Sequence, residues 1–187
     1  MGKIVLVTGG ARSGKSRFAE RLAEGYSGTC GYLATAEAGD AEMAVRIARH
    51  QARRGAGWAT IEEPLEVGRA LSEHDGRYSV ILMDCLTLWI SNLLFRHPAG
   101  AAGVIPEVER LIAGFPRLTT PLIMVTNEVG MGIVPEHPLA RSFRDLAGEA
   151  NQLVAAAADQ VYVTISGMPL KLKDSTTSED ILGPFSP

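Results

Sequence analysis

The feature that most restricts this chain is the run Gly9, Gly10, Ala11, Arg12, Ser13, Gly14, Lys15, Ser16, with glycines at the first and sixth positions and Lys-Ser behind them. That spacing is the pattern of a phosphate-binding loop, in which backbone N–H groups turn inward around an anion. Lys3, Ile4, Val5, Leu6, Val7 and Thr8 before it read as a buried strand. After it, Phe18 and Leu22 share one face of an expected helix. Strand, loop and helix in that order are the setting that separates the motif from a glycine-rich turn that binds nothing. Lys15 then reaches toward the β- and γ-phosphates, and the Ser16 hydroxyl takes one place around a Mg²⁺. A nucleoside triphosphate with magnesium follows, with ATP and GTP not distinguished by the loop.

The rest of the chain alternates in the same way. Strands are expected over residues 31–34, 58–61, 78–84, 122–126 and 160–165, and helices over 40–54, 65–71, 87–95, 106–113 and 138–158. The last helix shows a stripe of Leu139, Phe143, Leu146, Ala150, Leu153 and Ala157. This alternation predicts an α/β fold of the P-loop NTPase-like (RecA-like) kind, a mostly parallel sheet with helices on both faces. A chain of 187 residues suits one domain, expected over residues 1–173. Residues 98–103 look linker-like, and residues 174–187 read as a loosely ordered tail.

Charge and cysteine content narrow the partners. A net charge of −3 argues against nucleic acid, which calls for a basic face. No basic-then-apolar leader precedes the loop and no apolar run is long enough to span a bilayer, so a cytoplasmic protein is expected. Cys30 and Cys85 lack metal-site spacing and read as reduced thiols.

Three groups at the carboxyl ends of strands, or just beyond, are candidates for chemistry. Asp84 ends an apolar strand, where P-loop proteins place an acid that orients Mg²⁺. Asn127, Glu128, Val129 and Gly130 form a loop after another strand, and Glu128 is suited to orient a hydroxyl or a magnesium-bound water. On the 40–54 helix, Arg46, Arg53 and Arg54 share a face with His50. Three guanidiniums disfavour the protonated ring, so His50 is expected to be neutral and nucleophilic, with arginines ready to clamp a phosphate. Charge pattern alone favours a solvated basic face with a stray histidine on it.

With the run His50, Gln51, Ala52, Arg53, Arg54 added, residues 3–173 resemble the bifunctional adenosylcobinamide kinase/adenosylcobinamide-phosphate guanylyltransferase family of cobalamin biosynthesis. The matching stretches are 7–16, 32–36, 40–43, His50 with Arg53 and Arg54, 84–89 and 127–132. The resemblance implies that ATP or GTP phosphorylates adenosylcobinamide, and that GTP then reacts with adenosylcobinamide phosphate to give adenosylcobinamide-GDP. It implies a GMP-histidine intermediate on His50. It also implies nucleotide contacts at residues 9–16, at Ala34, Thr35 and Ala36, at Gln51, Ala52, Arg53 and Arg54, and at Glu62 and Asp84. Glu62 suits the ring N–H and amino group of guanine, which adenine cannot match. A homotrimer is implied as well. Gly55 departs from the pattern, standing where relatives often carry Pro, and the last fourteen residues match nothing in it. Two other readings are a P-loop kinase for a small alcohol without guanylyl transfer, and a nucleotide-dependent switch.

Overall fold

The computed structural model describes residues 1–36 and 55–175. Seven strands occur there: β1 (Ile4–Gly9), β2 (Cys30–Ala34), β3 (Trp58–Glu62), β4 (Val80–Asp84), β5 (Leu122–Val125), β6 (Gln160–Ile165) and β7 (Met168–Asp174). They form one sheet in the order β3-β2-β4-β5-β1-β6-β7. All pairs are parallel except β6 with β7. The helices are α1 (Lys15–Glu24), α2 (Val67–His74), α3 (Leu86–Arg96), α4 (Ala101–Gly114) and α5 (Pro138–Ala157). Among the described residues no helix is long and apolar enough to cross a membrane.

The central parallel strands β1, β2, β4 and β5 are buried on both faces, which is why they read as unbroken apolar runs rather than alternating ones. Their side chains still alternate. Ile4, Leu6, Leu33, Ile81, Met83, Leu122 and Met124 pack with residues of α2 to α5. Val5, Val7, Tyr32, Val80, Leu82, Ile123 and Val125 face the other way, against Ala19 and Ala23 of α1. The expected α/β sheet, covered on both faces, is therefore the one observed.

Register decides what meets at the carboxyl edge. Glu62 pairs with Ala34, Ala34 with Asp84, Asp84 with Val125, and Val125 with Val7. At about 4.8 Å per strand, the acids ending β3 and β4 lie about 10 Å apart, and the phosphate loop leaves β1 two strands beyond β4. The chain continues from β1 to β2, across β4 and β5, while β6 flanks β1 on its other side, so β1 borders the topological switch where open α/β sheets bind ligands.

Three differences from expectation have physical causes. Helix α4 begins at Ala101, inside the linker-like stretch, and Pro106 is its sixth residue rather than its start. There the proline forfeits only the bond to the Ala102 carbonyl, and fully buried Val104 and Val108 anchor the helix. Gly103 lets this first turn close on the His97 ring, which a Cβ would overlap. Second, the buried residues of α5 are Ala147, Ala150, Asn151 and Val154, with Phe143, Leu146 and Leu153 partly buried beside the core. Leu139 and Ala157, both in the expected stripe, are exposed. Third, β7 is a strand that sequence reading does not anticipate. Ser166 and Gly167, with φ of 51° and 83°, make the tight turn that joins it to β6. Asp174, first residue of the expected tail, closes β7 and accepts from Gln160 at 3.0 Å and Lys171 at 2.7 Å. Residues 176–187 lie outside the described residues.

Candidate active site

The loop between β1 and α1 is shaped by residues that other side chains could not replace. Gly9 has φ of 154°, and a Cβ there would stand 2.6 Å from the Thr164 carbonyl oxygen and from the hydroxyls of Ser13 and Thr164. Gly14 caps α1 with φ of 95° and packs against Gly167, whose Cα would lie 3.1 Å from an added Cβ. Arg12 also has positive φ, 57°. A left-handed turn of this kind points successive N–H groups into one concavity, and the amino end of α1 adds its own. The Lys15 ammonium lies over the loop, 3.0 Å from the Gly10 carbonyl.

A second chain segment holds the loop from behind. The Ser13 and Thr164 hydroxyls are 2.8 Å apart, and the Gly167 amide donates to the Ser13 carbonyl at 2.8 Å. The β6–β7 turn thereby fixes the loop's conformation.

Across the edge, Asp84 is half-buried at the end of β4, and the Tyr32 hydroxyl donates to its Oδ2 at 3.1 Å. Ala34, Thr35 and Ala36 leave β2 beside it. Thr35 is fully buried: its hydroxyl donates to the Cys85 carbonyl and accepts from the Cys85 amide, both at 2.8 Å. Asn92 donates to the carbonyls of Thr35 at 2.8 Å and Pro64 at 3.0 Å, joining the ends of β2 and β3. Glu62 is exposed, whereas Glu63 turns back to accept from the amides of Leu65 and Glu66. The Cys85 thiol is pushed up to about 12 by burial and then by the Asp84 carboxylate, so it stays protonated and is no nucleophile.

Magnesium prefers hard oxygen donors and keeps waters and phosphate oxygens, so it needs only one or two protein ligands. The Ser16 hydroxyl and the Asp84 carboxylate fit that demand. Tyr32 orients the carboxylate by bonding one oxygen, and both residues are only half-buried. Among the described residues no group of three or more His, Cys, Asp or Glu is gathered as a metal cage.

The structure thus brings Gly9 to Ser16, Ala34 to Ala36, Glu62 and Asp84 to one edge of the sheet. His50, Gln51, Ala52, Arg53 and Arg54 lie outside the described residues. Sequence reading missed a buried polar cluster between the loop and α5. The Thr8 hydroxyl donates to Glu128 Oε1, and Asn151 donates to the same oxygen at 3.4 Å and to the Asn127 carbonyl at 3.2 Å. Thr126 donates to Asn151 Oδ1 at 2.7 Å, and Thr87 lies 3.1 Å from Thr126. The available signal was Asn151 itself, an amide on the face that Ala147, Ala150 and Val154 bury.

Fold and loop together define a P-loop protein that binds a nucleoside triphosphate. Among solved structures, the RadB recombinase is similar with a TM-score of 0.50 at 14% identity, covering 87% of this chain and 74% of that one. A protein of Pyrococcus horikoshii OT3 is similar with a TM-score of 0.53 at 10% identity, covering 92% and 87%. These likenesses concern the fold alone. The model of the cobinamide kinase / cobinamide phosphate guanyltransferase family matches residues 5–172, and the chain belongs to that family. It is 45% identical over 169 residues to the bifunctional adenosylcobalamin biosynthesis protein CobP of Pseudomonas aeruginosa, covering 90% of this chain and 96% of that protein. It is 42% identical over 181 residues to its counterpart CobU of Escherichia coli, covering 91% and 99%. The family's description names both reactions, so a kinase without guanylyl transfer is not favoured.

Proposed function

We propose that this enzyme phosphorylates adenosylcobinamide with ATP or GTP and then transfers GMP from GTP to adenosylcobinamide phosphate, giving adenosylcobinamide-GDP in cobalamin biosynthesis. The observation that carries the reading is the family match over residues 5–172, with the phosphate loop intact within it.

In the first reaction the loop amides and Lys15 hold the triphosphate, and the substrate hydroxyl attacks the γ-phosphorus. Ser16 and Asp84 would hold a magnesium ion, which when bound would neutralise charge on the β- and γ-phosphate oxygens. In the second reaction the neutral His50 imidazole attacks the α-phosphorus of GTP. A P–N bond forms, the bond to the β-phosphate oxygen breaks, and pyrophosphate leaves. An oxygen of adenosylcobinamide phosphate then attacks the same phosphorus and releases the ring, so one difficult displacement becomes two. Arg53 and Arg54 clamp phosphate oxygens, Gln51, Ala52 and residues 34–36 line the nucleotide, and Glu62 reads guanine.

Residues 1–173 act as one kinase/nucleotidyltransferase domain, working in the cytoplasm where both triphosphates are at hand. The working form is a homotrimer. Supporting this, Ile165, Met168, Leu170 and Leu172 at the β6–β7 edge are 61%, 68%, 59% and 58% exposed, an apolar strip that a second copy would cover. Incubation of purified protein with adenosylcobinamide and each triphosphate, with products read by mass, tests the two reactions. Adenosylcobinamide phosphate and adenosylcobinamide-GDP are expected; nucleotide hydrolysis with neither product would overturn the reading.

A further inference from the structure

We infer that Glu128 is the general base of the phosphorylation step and of that step alone, an assignment that rests on the two-reaction reading above. Glu128 follows β5, the strand between Asp84 on β4 and the phosphate loop on β1. Its amide donates to the Gly9 carbonyl at 3.2 Å, which places it against the first residue of the loop. Its Oε1 accepts from the Thr8 hydroxyl and from Asn151 Nδ2. Asn151 cannot turn away, because Thr126 donates to its Oδ1 at 2.7 Å and its N–H₂ also serves the Asn127 carbonyl. One carboxylate oxygen is therefore fixed from the interior by donors on β1 and α5. The other, Oε2, has no hydrogen-bond partner among the described residues.

A carboxylate held by one oxygen beside a phosphate loop is built to receive a proton on the other. The two reactions differ in needing one. When the substrate alcohol attacks, its oxygen bonds to the γ-phosphorus and the bond from that phosphorus to the β–γ bridging oxygen breaks. A nucleoside diphosphate leaves, and the hydroxyl proton passes to Glu128 Oε2. In guanylyl transfer the acceptor is a phosphate monoester, already ionised near neutral pH, so no proton has to be removed from the attacking oxygen.

The test is Glu128→Gln, which keeps an oxygen to accept from Thr8 and Asn151 and changes only the other atom. Wild type and variant are assayed separately with adenosylcobinamide plus ATP, and with adenosylcobinamide phosphate plus GTP, alongside thermal melts. In the variant, kcat for phosphorylation is expected to fall about a hundredfold or more, with KM for adenosylcobinamide little changed. Guanylyl transfer should stay within about threefold, and Glu128→Asp should recover part of the kinase rate. Equal activity of variant and wild type in both assays would overturn the base assignment alone. Parallel loss in both, with or without a lowered melting temperature, would make Glu128 a structural tie and overturn it too. A wild type that forms neither product would overturn the two-reaction reading and this assignment with it.

Discussion

The Ser13 hydroxyl, in the middle of the phosphate loop, stands 2.8 Å from the Thr164 hydroxyl of β6, 151 residues further along the chain. Thr164 also donates to the Thr8 carbonyl at 3.3 Å, so one threonine braces both sides of Gly9. Thr164→Val keeps the shape and strands the buried Ser13 hydroxyl. Unfolding free energy is expected to fall by about 1–3 kcal/mol, with weaker triphosphate binding by calorimetry. Thr164→Ser should retain most of both.

Asn151 joins α5 to the loop after β5 through Thr126, Asn127 and Glu128. Replacing it with Leu, which has the same branching, removes those bonds and leaves buried Thr126 with Thr87 alone and half-buried Glu128 with Thr8 alone. Denaturant titration is expected to show a loss of about 2 kcal/mol or more. Kinase turnover should drop with it, because the Glu128 carboxylate loses a donor that aims it.

Asp75 follows α2 and ties it to the segment before β5. Burial alone would raise its pKa, but hydrogen bonds from Thr120 and Thr119 outweigh that and hold it down at about 2. In the unfolded chain an Asp titrates near 3.9, so folding favours the charged form. The contribution is complete above about pH 5 and is lost as pH falls from about 4 through about 2. Because the carboxylate is partly solvated, its worth is about 1 kcal/mol. Thermal melts of wild type and Asp75→Asn should differ at pH 7 and converge near pH 2; a constant gap would contradict the assignment.

What could be read from the residues alone depended on how local the cause was. Gly9 to Ser16 and the apolar strands announce themselves because spacing and composition over a few residues decide their structure. Strand β7 did not, because Pro169 argues against a strand and is tolerated here only on a sheet edge. The start of α4 was misplaced for a related reason: proline reads as a helix opening, whereas burial of Val104 carries the helix back past it. The bracing of the loop by Thr164 and Gly167, and of Glu128 by Asn151, joins residues far apart in the chain, and no spacing rule reports that. The apolar stripe of α5 was displaced by the same kind of cause, since packing brings Asn151 inward and leaves Leu139 out.

On the proposed mechanism His50 carries GMP from GTP to adenosylcobinamide phosphate, and covalent labelling of the protein tests that step. GTP labelled at the α-phosphate is incubated with the protein, which is then denatured and washed free of nucleotide. Label is expected to be held by a bond that survives base and breaks in acid, to be absent from His50→Ala, and to be discharged by adenosylcobinamide phosphate. A wild-type protein that makes adenosylcobinamide-GDP yet never retains label, or a His50→Ala protein that labels as well as wild type, would contradict it.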